Sequence, residues 1–150
     1  MRTLTLALAA LVAVATTAGA QQSPQALFEA GHYEEALAAL APELQNRSAG
    51  PDSHYLAVLI ASRLEQPQRA AESLAALTAN PDRTWQLVGG SAQALAQGDL
   101  GQAAELATQA MAANAASFAA HYQLGLSRAR TEDWAGGFAL GGFEPWRLRM

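Results

Sequence analysis

The sequence GHYEEA at residues 31–36 predicts the fold, because related stretches return at a nearly fixed interval. EQPQRA occupies residues 65–70, GDLGQA residues 98–103 and EDWAGG residues 132–137. The closing positions are 36, 70, 103 and 137, so the intervals are 34, 33 and 34 residues. A period in this range is typical of stacked helical hairpins. The period therefore predicts an all-α fold of antiparallel hairpins.

Hydrophobic spacing and helix-breaking residues predict seven helices with short connections. Their predicted bounds are 24–30, 33–40, 52 or 53 to 64, 67 to about 79, 82 to the turn at 98, 100 to about 113, and 118–130. Ser23 and Ser117 are the expected N-caps of the first and last helices, and Asp52 or Ser53 that of the third. Pro42 is expected to interrupt the second helix with a kink or a restarted turn from Pro42 to Gln45, since proline lacks the N–H that a helix interior requires.

These features resemble the tetratricopeptide repeat, whose first helix carries a Leu-Gly pair and whose turn and second helix carry glycine, an aromatic residue and alanine. The matching positions are Gly31, Tyr33, Ala36, Ala70, Gly98, Ala103, Leu124 and Gly125. The resemblance covers roughly residues 24–140 and is weakest around Ala70, where the turn glycine is missing. It implies a short right-handed solenoid of three to four stacked hairpins, with the repeat domain at residues 21–130.

The N-terminal residues 1–20 have the pattern of a secretory signal peptide. Arg2 supplies a positive charge, residues 4–15 are apolar, and Ala18-Gly19-Ala20 is a small-residue cleavage site. We expect cleavage after Ala20 and export to the periplasm or cell envelope, with no membrane span in the mature chain. An uncleaved membrane anchor is the alternative.

Residues 131–150 are predicted to be a degenerate last repeat or an irregular tail. Residues 136–145 contain four glycines and a proline, a composition that disfavours a helix. The aromatic residues of this segment are Trp134, Phe138, Phe143 and Trp146. An apolar end of this kind is expected to dock a partner or to mediate self-association. A truncated or frame-altered gene product would also explain it.

Composition argues against nucleic-acid binding and against a disulfide framework. The formal net charge is −4, all nine basic residues are arginine without a basic cluster, and cysteine is absent. His32, His54 and His121 lack metal-ligand spacing. The acidic pairs Glu34-Glu35 and Glu132-Asp133 lie near predicted helix N-termini, where negative charge is favourable. We therefore expect no catalytic residues, no metal site and no cofactor.

The resemblance also implies a binding groove lined by the first helix of each repeat. It places Tyr55 and Tyr122 at one groove position, Arg63 and Arg130 at another, and Trp85 between them. Aromatic residues and arginine are frequent in binding hot spots, and arginine can hold a carboxylate with two hydrogen bonds. The alternative is that Trp85 and the tyrosines fill gaps between repeats.

The resulting functional hypothesis is a non-catalytic scaffold or adaptor that binds a segment of another protein. Two other possibilities remain open from sequence. The chain could be the N-terminal part of a larger envelope or secretion-system protein, or it could form a structural homo-oligomer through its apolar C-terminal end.

Overall fold

The computed structural model describes residues 22–131, which form seven α-helices and no β-strand. The helices are α1 (Pro24–Glu29), α2 (Tyr33–Gln45), α3 (Pro51–Arg63), α4 (Ala71–Thr78), α5 (Arg83–Gln97), α6 (Leu100–Ala113) and α7 (Phe118–Arg130). The prediction of an all-α chain is confirmed for these residues. The predicted signal peptide and nearly all of the predicted C-terminal tail lie outside them.

Helices that follow one another in sequence also pack against one another. α1 packs on α2, α3 on α4 and α5 on α6, and each second helix also contacts the next hairpin. In addition, α3 contacts α5 and α5 contacts α7. α1, α3, α5 and α7 each open a unit of the sequence period, and we call the last three of them the first helices.

Two predicted turn glycines adopt the backbone conformation that the repeat requires. Gly31 has φ of +83° and Gly98 has φ of +82°, in the left-handed region that glycine tolerates best. Glu65 occupies the corresponding turn after α3 and has φ of +56°. The turn that lacks glycine in the sequence is therefore made in the same left-handed conformation by a residue with a Cβ atom.

Replacing Glu65 by glycine is expected to raise the free energy of unfolding by up to about 1 kcal/mol. A left-handed backbone costs an ordinary L-residue about 1–2 kcal/mol, and the larger entropy that glycine loses on folding offsets part of that gain. Urea denaturation followed by circular dichroism measures the change. Glu65→Ala is the control, since it removes the carboxylate and keeps Cβ. Equal stabilisation by both variants would contradict a backbone origin.

The alanines that close each period are buried between helices. Ala36 and Ala103 are 0% exposed and Ala70 is 4% exposed. Behind Ala103, the Ser91 hydroxyl of α5 donates a 2.6 Å hydrogen bond to the Ala103 carbonyl of α6. These small side chains let the paired helices approach closely, as the sequence predicts.

The prediction that the second helix ends at Leu40 and restarts at Pro42 is wrong. α2 continues through Pro42 to Gln45. Proline removes the hydrogen bond to the carbonyl of Ala38 and crowds that carbonyl, but both residues are exposed. Water can replace that bond at the surface, so the helix persists.

Two predicted helix starts are also corrected. Gly50, rather than Asp52 or Ser53, is the N-cap of α3, and Pro51 takes the first helical position that proline favours. The Ser53 hydroxyl instead donates to the Glu43 carboxylate at 3.0 Å. The helix predicted from Pro67 begins as a 3-10 turn, Pro67–Ala70, before α4. The predicted caps Ser23 and Ser117 are confirmed, since each accepts a hydrogen bond from a backbone N–H three residues on.

Candidate binding site on the first helices

The N-terminal halves of the three first helices meet through aromatic side chains. Tyr55 of α3 is 4% exposed, and its hydroxyl donates to Gln123 Oε1 of α7 at 3.0 Å. The same hydroxyl lies 3.4 Å from the Ala119 carbonyl. The ring of Trp85 on α5 tilts against Tyr55, with 6.1 Å between ring centroids. Tyr55 thus ties α3 to α7 while Trp85 covers it.

Burial raises the pKa of the Tyr55 hydroxyl well above its usual value, and the neighbouring Tyr122 raises it further. Both effects disfavour the phenolate inside the protein. Tyr55 therefore remains a neutral hydrogen-bond donor at physiological pH.

Tyr122 lies at the edge of this aromatic cluster. It is half-buried, and Phe118 stacks on it with ring centroids 5.7 Å apart. Arg63 at the end of α3 reaches across, and its Nη2 atom lies 3.4 Å from the Tyr122 hydroxyl. This contact is long, so it positions the guanidinium group without holding it strongly.

The C-terminal halves of the first helices line a partly open pocket of about 150 Å³, which we call the junction pocket. Its walls include Val58, Leu59 and Ser62 of α3, Ala92, Leu95 and Ala96 of α5, and Gln123, Leu126 and Arg130 of α7. The connection around the 3-10 turn adds Glu65, Pro67, Ala70 and Leu74. The wall is mainly apolar, with a few polar groups. Such a surface suits an apolar side chain of a ligand.

Gln123 is the unusual polar group in this wall. Its side chain is 1% exposed, and its amide oxygen accepts the hydrogen bond from Tyr55. Its amide nitrogen, Nε2, has no hydrogen-bond partner among the described residues. A buried donor left unpaired costs about 1–3 kcal/mol. The Gln123 amide is therefore part of the buried contact between α3 and α7.

Charged groups surround the same end of the first helices. Arg63 and Arg130 are the last residues of α3 and α7, and both are exposed. Within residues 22–131, neither forms a salt bridge, since the ion pairs there are His32–Glu35 and Arg69–Glu34. Glu65 is the opposing charge in the pocket wall. Among the described residues at this end of the helices, these two arginines face one carboxylate, that of Glu65.

The five residues predicted for the groove therefore all lie on the first helices but differ in exposure. Tyr55 is buried and offers a partner almost no surface, so for this residue the gap-filling alternative describes the structure. Trp85 and Tyr122 are half-buried, while Arg63 and Arg130 are exposed. Arg130 alone among the five lines the junction pocket.

Sequence reasoning missed Gln123 and the pocket itself. Gln123 directly precedes the Leu124-Gly125 pair, and no sequence motif marks it as a functional residue. Only the distance between α3 and α7 reveals that its amide is buried. Leu126 and Ala96 were likewise indistinguishable from ordinary apolar helix positions.

The histidines have structural contacts. His54 Nδ1 lies 3.2 Å from the Ser73 hydroxyl, and His121 Nε2 lies 2.8 Å from the Ala115 carbonyl. Among residues 22–131, no group of three or more histidine, aspartate or glutamate side chains is arranged to hold a metal ion.

Comparisons with other proteins do not assign the chain to a family. No protein-family model matches it. No curated protein and no solved structure matches it either. Within the described part of the chain, no helix has the length and apolar character needed to cross a membrane.

Proposed function

We propose that this protein is a tetratricopeptide-like, right-handed solenoid that serves as a non-catalytic interaction module of the periplasm or cell envelope. It binds a segment of another protein on the face formed by the first helices. The signal-peptide pattern of residues 1–20 supports export, and the period of 33–34 residues together with the hairpin packing supports the repeat architecture.

One observation carries the binding proposal. Three successive first helices bring aromatic rings, an apolar pocket and two arginines without salt bridges among the described residues to one face. Aromatic and arginine side chains beside an apolar pocket are typical of interface hot spots. The helices that form this face are already packed on one another. We therefore expect the protein to lose little conformational freedom on binding.

Site-specific photocrosslinking in the cells that make the protein tests this function. A photoreactive phenylalanine analogue at Ser62, which is exposed and lines the junction pocket, should capture a partner protein. The same analogue at Ala112, exposed on α6, is the matched control and should capture little. Arg63→Glu should weaken capture at Ser62, because it reverses a charge beside the pocket.

Three results would contradict the proposal. Capture could be equal at the two positions, absent at Ser62, or unaffected by Arg63→Glu. An adduct with twice the mass of this chain would instead favour a structural homo-oligomer.

A further inference from the structure

We draw no further inference here: the strongest candidate, the partly open apolar junction pocket between the C-terminal halves of α3, α5 and α7, belongs to the binding face already described, and nothing in the structure shows what occupies it.

Discussion

Replacing Leu77 by alanine is expected to lower the free energy of unfolding by about 2–5 kcal/mol. Leu77 lies on α4, is 0% exposed and belongs to the largest apolar cluster of the described residues. The backbones of α4 and α5 are already in close approach beside it, so the helices cannot move together to fill the space left by the removed carbons. A residual cavity adds to the lost apolar burial.

Chemical denaturation of the full-length chain measures this loss. A small domain has a total stability of about 5–15 kcal/mol, so the midpoint should shift strongly. Leu37→Ala on α2 is the matched control, because Leu37 is only half-buried and should cost less than half as much. Equal losses at the two positions would contradict the placement of Leu77 in a tightly packed core.

Substituting alanine at two adjacent glycines of α5 should change stability in opposite directions. A Cβ atom at Gly89 would lie 2.7 Å from Leu77 Cβ and 3.1 Å from the backbone nitrogen of Thr78. Neither atom is the end of a flexible side chain, so α4 and α5 must separate. Overpacking of this kind costs about 1–3 kcal/mol. It outweighs the helix propensity of about 1 kcal/mol that alanine adds, and we expect a net loss of about 1–2 kcal/mol.

Gly90→Ala is the control at the next position. Its Cβ atom would meet only Leu106 Cδ1 at 3.4 Å, which is an ordinary contact with a movable side-chain end. The gain in helix propensity then dominates, and the variant should be stabilised by up to about 1 kcal/mol. The measurement is the difference in denaturation midpoint between the two variants. Stabilisation by both would show that α4 and α5 are further apart than the structure has them.

Local sequence patterns predicted the helices and their turns well. The spacing from Gly31 to Ala36 and from Gly98 to Ala103 depends on residues close together in the chain, and both turns have the expected left-handed glycine. The turn at Glu65 could not be predicted from local sequence. Its turn has the same geometry without the same residue, because packing of the hairpin compensates for a locally unfavourable conformation.

Features that depend on distances between helices could not be predicted from the sequence. Two adjacent glycines lower helix propensity, and the sequence says no more than that about Gly89 and Gly90. The structure shows that Gly89 permits close packing on Leu77. Gly125 matched the repeat pattern, but no described residue would touch a Cβ atom there. Patterns along one helix do not reveal which of its faces meets a neighbour most closely.

The candidate site was likewise predicted only in part from the sequence. Resemblance to a repeat family placed Tyr55, Trp85 and Tyr122 on one set of helices, and the structure brings those side chains into one cluster. It did not predict that Tyr55 would be buried against α7. That contact requires α3 and α7 to approach each other across α5, which is a property of how the hairpins stack.

The central structural claim is that the three first helices converge on Tyr55 and thereby form the junction pocket. Nuclear Overhauser spectroscopy on the full-length chain tests it most directly. The structure predicts strong cross-peaks from the Tyr55 ring to Ala119 on α7 and to the Trp85 ring on α5. Cross-peaks to Trp85 without any to Ala119 would mean that α3 and α7 stay apart, and the junction pocket would then be wrong.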